Sequence, residues 1–538
     1  VLGTSCSDVL DLNPADRFSP ATVWSTTTTA DKYVIGLYSI FGANTEMRGG
    51  DAYASPRLSD AYSDILKSTS WNQYNHNFNA TLLQETAFNS NSAGAFECWS
   101  SHYDRIRREN EFLRDAAEFG RKFGEDWLKI RIAEVRFCRA YAYFMLCRVY
   151  GGVILRTEVD GPEQNDKARS TEEECWGFII NELKELAPDL PLKWDSDNSG
   201  RATQKAAYGL LSRVALYAEK WDVAAQAARD CATAEGNLDL SKNGYAKIFE
   251  LGINSPEVLF AVEFKSSVID HAYDAYVRPS GDTKELGKQV YSGFVPTSEL
   301  VDSYEMAGDG GNFSWEKHGK DPYANREPRF YATILYNGAD WMGRKIESFV
   351  GGKDGYKAYE NAGAAGTTVT GYYLRKYLID GDKTWVTSGS GQDWIVLRYA
   401  EVLLNKAEAL AMENWNKNSA EALQALNDVR ARVGLPARAT ADKETFLEYV
   451  RHERKVELAG EGFRYWDLRR WRLAEKVIDG QNVHGVKISK QSDGSFTYEQ
   501  VDADGGHKRI FYDRYYRFAI PLSERSNNSL CTNNDGWI

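Results

Sequence analysis

The segment LLSRVALYAEKWDVAAQAARDC, residues 210–231, decides the fold of this chain. Two helical patterns follow each other here with only a short break between them. Compact side chains recur where two antiparallel helices must approach closely, at Leu211, Ser212, Ala215, Ala224, Ala228 and Cys231. This spacing is typical of a tetratricopeptide repeat, in which each helix pair packs against its neighbours.

A looser copy of the pattern occupies residues 398–436, with extra residues between its two helices. Its comparable small and apolar positions are Ala407, Ala422, Leu426 and Val429. Helix pairs of this kind bury a continuous core only by stacking, and at least three are needed. Residues 126–188 are the natural candidate for another. The sequence therefore predicts a mainly α fold, with tetratricopeptide-like helix pairs forming an α-solenoid scaffold.

Outside these pairs, the chain alternates between helical and irregular composition. Apolar residues with helical spacing predict a scaffold mainly over 97–235 and 393–475. Segments 42–96 and 236–392 are rich in Gly, Asn, Ser and aromatic residues, so we expect irregular structure with short strands there. Two Asp-Gly turn signals among alternating apolar residues predict a β-hairpin or meander within 485–520.

Composition excludes several classes of protein. The chain has 538 residues, 43% hydrophobic and 26% charged, which is ordinary for a globular protein and excludes broad disorder. Its formal net charge of −12 argues against nucleic-acid binding. The seven His are scattered without zinc-ligand spacing, and no nucleotide-binding or Ser-hydrolase motif is present. We predict no cofactor and no metal site.

The segment SWNQYNHNFNATLLQETAFNSNS, residues 70–92, has the chemistry of a sugar site. It has no helical period and mixes aromatic rings with amides. Rings can cover the C–H face of a sugar while amide groups bond its hydroxyls. The predicted ligand-binding residues are Trp71, Asn72, Tyr74, Asn75 and Asn77. The alternative is an Asn-rich surface loop with one aromatic side chain tucked into the body.

A second aromatic cluster lies in residues 311–343. Trp315 and Trp341 are candidates for ligand contact. They lie on either side of a stretch whose aromatic residues have the pattern of core-packing residues, and not within it. For Tyr331 and Tyr336, within that stretch, we expect core packing instead.

The conspicuous charged residues near the end of the helical region have a structural explanation. Their helical spacing predicts ion pairs and hydrogen bonds that hold helices together, and not acid–base catalysis. The residues are Arg454, Glu457, Glu461, Arg464, Asp467 and Arg470, together with Glu401 and Glu408. A glycoside hydrolase would need two carboxylates facing a cleft about 5 to 9.5 Å apart. No such pair stands out, and we predict that the chain is not an enzyme.

Several segments together resemble the SusD/RagB family, surface lipoproteins of Bacteroidetes that capture nutrients for a partner transporter. The matching segments include CSDVLDLNP (6–14), EVRFCRAYAYFMLCRVYGGV (134–153), ERKVELAGEGFRYWDLRRW (453–471) and FAIPLSE (518–524). The resemblance implies a tetratricopeptide-like scaffold against which irregular segments carry the ligand site. It also implies an oligosaccharide ligand and a SusC-like TonB-dependent β-barrel as partner.

The start of the chain carries a candidate lipidation site. LGTSC, residues 2–6, resembles a bacterial lipoprotein cleavage site with Cys6 as the lipid acceptor, although Leu2 stands four residues before it instead of three. We therefore expect residues 1–20 to be a signal-peptide remnant, lipidation site and tether, and residues 21–538 to be one SusD-like unit. The predicted location is the outer membrane, with a lipid anchor and exposure at the cell surface.

Three other functions stay open at this stage. A family member adapted to peptides would use the same fold with a different ligand. A helical glycoside hydrolase would need the carboxylate pair described above. An intracellular tetratricopeptide scaffold would make Cys6 an ordinary cysteine.

Overall fold

The structure is a computed structural model, and it describes residues 19–42, 46–47, 58–69, 88–161, 166–358 and 367–537. The α-helices of these residues are α1 (Pro20–Val23), α2 (Thr27–Leu37), α3 (Ser39–Gly42), α4 (Trp99–Phe119), α5 (Glu125–Tyr150), α6 (Glu172–Leu186), α7 (Gln204–Tyr217), α8 (Trp221–Thr233), α9 (Gly244–Leu251), α10 (Tyr273–Val277), α11 (Asp282–Leu286), α12 (Ser298–Val301), α13 (Trp315–His318), α14 (Pro328–Thr333), α15 (Trp385–Ser388), α16 (Tyr399–Arg432), α17 (Lys443–Glu457), α18 (Arg464–Arg470), α19 (Ala474–Ile478) and α20 (Leu522–Asn527).

The β-strands are short and pair two at a time. They are β1 (Leu66–Ser68), β2 (Val258–Val262), β3 (Phe294–Pro296), β4 (Ile334–Leu335), β5 (Asp340–Trp341), β6 (Arg344–Lys345), β7 (Tyr373–Leu374), β8 (Trp394–Arg398), β9 (His484–Lys490) and β10 (Phe496–Asp502). The antiparallel pairs are β1 with β3, β2 with β8, β4 with β7, β5 with β6 and β9 with β10. Helices therefore form the body, and the strands join neighbouring segments locally.

The long helices stack in sequence order, as the tetratricopeptide pattern predicts. Consecutive helices α4 to α8 pack against each other, and α8 then packs on α16, which contacts α17. Ser212, Ala215, Ala224, Ala228 and Cys231 are all buried, so the small residues stand at the close contacts between helices. Their burial confirms the predicted helix pair.

The second predicted pair is one continuous element with a break. α16 leaves helical geometry at Asn414, whose φ of −164° and ψ of 95° are extended. The Asn414 side chain accepts a hydrogen bond from the backbone N–H of Lys417 at 3.2 Å. Asn is a preferred residue for capping a helix N-terminus, so Asn414 ends one helix and starts the next. The extra residues expected between the helices are taken up by this short kink.

The predicted hairpin is confirmed. Strands β9 and β10 pair from His484↔Asp502 to Lys490↔Phe496. At the turn, Asp493 accepts a hydrogen bond from the backbone N–H of Ser495 at 2.9 Å, and Gly494 has a φ of 87°. A positive φ favours Gly, which explains the Asp-Gly signal in the sequence.

Arg398, at the end of β8, is the centre of a buried network of charges. Its side chain is 1% exposed. Its guanidinium bonds Glu257 at 2.9 Å, Glu457 at 2.6 Å and Glu461 at 2.7 Å. Glu457 ends α17 and Glu461 follows it in the scaffold, whereas Glu257 precedes β2 in the irregular region. One side chain therefore joins the two parts of the fold.

Further buried pairs extend this network. Arg329, on α14, bonds Glu327, Glu453 and Glu457. The remaining members are the pairs Arg430–Glu305, Arg430–Glu453, Arg432–Glu257, Arg432–Glu457 and Lys376–Glu461. Burial alone would raise the pKa of Glu457, but Arg432, Arg398 and Arg329 hold it well below its usual range. Glu457 is therefore ionised inside the core.

The ion pairs predicted from helical spacing are confirmed. Arg454 and Arg470 both bond Asp467, at 2.7 and 2.8 Å. Arg464 bonds Asp64 at 2.8 Å. The other two carboxylates are also paired, in Arg213–Glu401 at 2.6 Å and Arg470–Glu408 at 2.5 Å.

Within the described ranges, no helix combines the length and the apolar character needed to cross a membrane.

We predict that Arg398→Ala destabilises the protein by about 3–5 kcal/mol, because three carboxylates are left in the core without their shared cation. Chemical denaturation monitored by circular dichroism measures this change. The matched control is Lys345→Ala, which breaks the exposed Lys345–Asp340 pair at 2.7 Å. An exposed pair contributes less than about 1 kcal/mol. Equal losses in the two variants would contradict a central role for Arg398.

Candidate ligand-binding site

The polar-aromatic segment predicted to bind ligand follows directly from an anchored strand. β1 pairs with β3, and the backbone N–H of Thr69 donates to the carbonyl of Gly293 at 3.0 Å. Trp71, Asn72, Tyr74, Asn75 and Asn77 come next in the chain and lie outside the described residues. The strand pairing therefore joins irregular segment 42–96 to irregular segment 236–392 at the point where the predicted site residues begin.

Two tyrosines that the sequence analysis missed lie beside this point. The rings of Tyr276 and Tyr291 pack against each other, with centroids 4.8 Å apart. Backbone bonds from Tyr291 to Ala275 (2.7 Å) and from Gly293 to Tyr276 (2.6 Å) hold the two chain segments together. Tyr276 is buried and Tyr291 is half-buried. In the sequence, Tyr291 is marked only by the turn residues Ser292 and Gly293 that separate it from β3.

Trp341 does not present its ring to solvent. It is 0% exposed, and its indole N–H donates to Asp282 at 3.0 Å. The Arg278 guanidinium lies 5.1 Å from the Trp341 ring and 5.3 Å from the Trp385 ring. Trp341 is therefore part of a buried stack, and this corrects the expectation that it offers a face to a ligand.

This buried stack supports the Tyr291 turn from behind. The hydroxyl of Ser292 donates to the backbone carbonyl of Arg278 at 2.9 Å. Ser292 has a φ of 48°, in the left-handed region that non-glycine residues rarely adopt. The bond to Arg278 compensates for this backbone conformation, which sets the direction in which the adjacent Tyr291 side chain leaves the chain.

Trp315 belongs to a different surface. It is half-buried, and its indole N–H donates to Asp302 at 2.9 Å. Its ring centroid lies 5.4 Å from that of Phe313 and 5.8 Å from that of Tyr498 on β10. Tyr498 is half-buried too, and it packs on Tyr323 at 5.9 Å. Trp315 and Tyr498 thus form an aromatic ledge between α13 and the hairpin.

Tyr331 and Tyr336 pack as expected. Both are half-buried against the core, and the Tyr331 hydroxyl donates to the carbonyl of Tyr323 at 2.8 Å. The Tyr336 ring lies 4.6 Å from that of Tyr323. These contacts make Tyr331 and Tyr336 a support for the aromatic ledge.

The far end of the undescribed segment is also anchored. Phe88, the first described residue after it, is 1% exposed. Its ring packs on Phe518 at 4.7 Å, Tyr515 at 5.3 Å and Phe96 at 5.9 Å. Thr69 and Phe88, the described residues on either side of 70–87, thus both lie in buried parts of the protein.

A buried ion pair holds β1 in place. Lys67 lies 2.7 Å from Asp504, which also bonds Arg509 at 2.9 Å. Burial lowers the pKa of Lys67 to about 8, and Asp504 acts against this shift. Asp504 therefore serves as a structural counter-ion after the hairpin.

A pair of buried carboxyl groups lies just before β1. Asp60 accepts hydrogen bonds from the backbone N–H groups of Gly460 (2.8 Å), Gly462 (3.2 Å) and Arg464 (2.9 Å). Glu46 accepts a hydrogen bond from the backbone N–H of Ser59. Burial raises the pKa of Asp60 to about 6, and burial together with the Asp60 charge raises that of Glu46 to about 7.

The side chains that could bind a metal ion or a lipid include the cysteines, His, Asp and Glu. Within the described ranges, no three His, Cys, Asp or Glu side chains gather closely enough to hold a metal ion. Cys6, the predicted lipid acceptor, lies outside the described residues. The six other cysteines are buried and free.

Stacked helix pairs that support long irregular segments define a class of helical scaffolds, and comparison with known proteins identifies the family. The model described as the SusD family matches residues 256–537, which is more than half of the chain. A second model, described as starch-binding and associating with the outer membrane, matches residues 8–216. The chain belongs to the SusD family.

Individual relatives agree over nearly the full length. A SusD-like protein of Bacteroides ovatus is 25% identical over 535 residues, covering 94% of this chain and 88% of the relative. The crystal structure of a SusD-like protein from Bacteroides fragilis is 27% identical, with a TM-score of 0.82, and the match covers 96% of this chain and 98% of that one. A SusD-like carbohydrate-binding protein of the same species is 24% identical, with a TM-score of 0.79 and coverage of 95% and 99%. These matches confirm the predicted fold class.

We predict that the stability of the protein falls as the pH rises from about 4.5 to about 7. The pKa of Glu46 is raised from 4.5 to about 7 by folding, so the folded state holds this proton more tightly than the unfolded state. The stabilisation is complete below the unfolded pKa and is lost as the pH passes the folded pKa. Glu46→Gln, which stays neutral, should be more stable than the parent at pH 8.

Urea denaturation at pH 5 and pH 8 measures this effect. The control is Glu499→Gln, on the exposed face of β10. It should leave the pH dependence unchanged. If Glu46→Gln differs from the parent by the same amount at both pH values, Glu46 does not titrate as described.

Proposed function

We propose that this protein binds an oligosaccharide through the aromatic and amide side chains of segment 70–77 together with the Tyr276–Tyr291 pair, and passes it to a SusC-like TonB-dependent transporter. The observation that carries the proposal is the β1–β3 pairing. It joins the segment that holds Trp71 and Tyr74 to the strand that follows Tyr291. A saccharide ligand is also supported by the family model described as starch-binding.

The side chains in this region suit a sugar. The partly exposed ring of Tyr291 provides an apolar face, and Trp71 and Tyr74 supply further rings. Asn72, Asn75 and Asn77 supply amide donors and acceptors for hydroxyl groups. Trp315 is a second choice, because it forms the separate aromatic ledge with Tyr498.

The affinity follows from these contacts. Covering about 60 Å² of ring is worth roughly 1.5 kcal/mol, so two rings supply about 3. Each amide hydrogen bond adds roughly 0.5–1.5 kcal/mol, and ordering the sugar offsets part of this gain. We expect a dissociation constant on the order of 10 μM to 1 mM. Weak binding suits a protein that must release its ligand to a transporter.

We propose that this protein is not an enzyme. The carboxylates that first suggested acid–base chemistry, including Glu401, Glu408 and Asp467, are each bonded to a buried arginine. Carboxylates held in such ion pairs do not face an open cleft, so they are not placed to act as a general acid. Ligand capture without a chemical step therefore fits the described residues better than hydrolysis.

The proposal also divides the chain by role. Helices within 97–235 and 393–475 form the scaffold and offer a broad surface to the transporter barrel. Segments 42–96 and 236–392 carry the ligand. Lipidation at Cys6 anchors the protein to the outer membrane with exposure at the cell surface, and the family model that names association with the outer membrane supports this location.

We predict that Trp71→Ala weakens oligosaccharide binding about tenfold, or by roughly 1.4 kcal/mol, because one ring contact is lost. Its melting temperature should change little. Isothermal titration calorimetry with α- and β-linked gluco-oligosaccharides measures the affinity, and a peptide panel tests the alternative ligand class. If the variant binds glycan normally but melts at a much lower temperature, Trp71 is a core residue. If the parent protein binds peptides and no glycan, the ligand is a peptide and the oligosaccharide proposal is wrong.

The matched control is Trp341→Ala. Because Trp341 is fully buried, its loss should cost about 3–5 kcal/mol of stability. The folded fraction of this variant should keep most of its affinity, because Trp71 and Tyr74 supply the other proposed ring contacts. The two tryptophans therefore separate a binding effect from a packing effect.

We predict that Cys6→Ala is released from the outer membrane when the partner barrel is absent, because stable anchoring requires the multiply acylated cysteine of a bacterial lipoprotein. When the barrel is present, binding to it should keep the variant at the membrane. Membrane fractionation of the parent and the variant, with and without the barrel gene, measures this. Affinity purification in mild detergent should recover the barrel with the parent protein. Retention of the variant without the barrel contradicts the anchor, and recovery of this chain alone contradicts the complex.

A further inference from the structure

We propose that a cleft between α1–α2 and α4 is a second binding site, selective for an anionic saccharide that carries a carboxylate or a sulfate. The cleft has a volume of about 850 Å³. This size lies within the usual range for small-molecule sites. None of its lining residues belongs to the Tyr276–Tyr291 site, so the inference stands apart from the proposed function.

The lining of the cleft is positively charged in an acidic protein. It holds five cationic residues and three acidic ones, an excess of two positive charges, whereas the whole chain carries −12. Each of the three acids is paired with an arginine, in Arg107–Glu111 (3.1 Å), Arg108–Asp104 (2.9 Å) and Arg114–Asp115 (2.7 Å). The excess charge therefore belongs to the two remaining cations, Lys32 and Arg105.

Lys32 and Arg105 form no ion pair with any carboxylate among the described residues. One terminal nitrogen of Arg105 donates to the backbone carbonyl of Ser101 at 2.7 Å. Its Nε is buried and has no hydrogen-bond acceptor in the part of the chain that the structure describes. A buried donor without an acceptor is costly, and an anionic oxygen in the cleft would satisfy it.

Aromatic rings form one side of the cleft. The rings of Trp24 and Phe112 lie 4.9 Å apart, and those of Tyr33 and Phe112 stack at 5.8 Å with an interplanar angle of 15°. Trp24 and Phe112 are buried, whereas Tyr33 is half-buried and lines the cleft. A small inorganic anion would use only the cations. A sugar with an acidic group would use both the cations and the ring.

The cleft has room for more than one sugar. Arg105 and Ser39 also line a neighbouring cavity of about 550 Å³. That cavity is walled by Tyr38, Phe41 and Phe260, and it contains the carboxyl group of Glu263. Arg201 also lines this cavity, but it is paired with Asp31 at 3.0 Å and Glu134 at 2.7 Å. With Glu263 present as well, the unpaired positive charge lies on the α2–α4 side. An oligosaccharide with its acidic unit at Arg105 and a neutral unit beyond fits this arrangement.

Calorimetry on the full chain with three defined probes tests this site. The probes are trigalacturonate, a sulfated galactan trisaccharide and neutral maltotriose. We expect at least one anionic probe to bind, with an affinity that falls as NaCl is added. The anionic probe that binds more tightly shows whether the site prefers a carboxylate or a sulfate. Lys32→Gln with Arg105→Gln should weaken that binding at least tenfold. Lys122→Gln, an exposed cation outside the cleft, should leave it unchanged.

Two further variants keep the outcomes distinct. Tyr291→Ala should leave anionic binding intact, so a failure of the proposed neutral-glycan site does not affect this test. If the double variant melts early, Lys32→Glu alone decides, since Lys32 is exposed. Absence of binding to both anionic probes overturns the proposal. So does binding that the charge variants leave unchanged, or binding that Tyr291→Ala abolishes.

Discussion

The contact between Arg398 and its three carboxylates is the interaction on which the rest of the structure depends. Arg398 ends the strand that leads into α16, and its partners Glu257, Glu457 and Glu461 come from both the irregular region and the scaffold. Charges buried this deeply are tolerated only when each is paired and hydrogen-bonded. The network therefore holds the irregular segments in one position relative to the helices, which is the condition for a preformed binding surface.

Periodicity made the scaffold predictable. The small residues of 210–231 lie at close helix contacts because a bulky side chain there would separate the helices, and this constraint is local in the sequence. Ion pairs such as Arg454–Asp467 were predictable for a related reason, since their helical spacing and charge match are visible in a short window. The kink at Asn414 was less visible, because one residue with extended geometry replaces a whole connecting turn.

The site was only partly predictable, because residue type does not report burial in irregular segments. Trp341 and Trp315 look equivalent in the sequence. Trp341 is buried because Arg278, more than sixty residues earlier, inserts between it and Trp385. Tyr291 was missed because its position depends on the pairing of the following strand, β3, with β1, a contact between segments more than 200 residues apart. Such long-range contacts leave no periodic signal.

Hydrogen–deuterium exchange with and without a neutral oligosaccharide that binds in calorimetry tests the central claim most directly. The claim is that ligand binds where the two irregular segments are joined by β1 and β3. The account predicts slower exchange in peptides covering residues 66–88 and 272–296 when ligand is bound, with the scaffold helices unchanged. Protection confined to the helices of 97–235, with none in those two peptides, would contradict it.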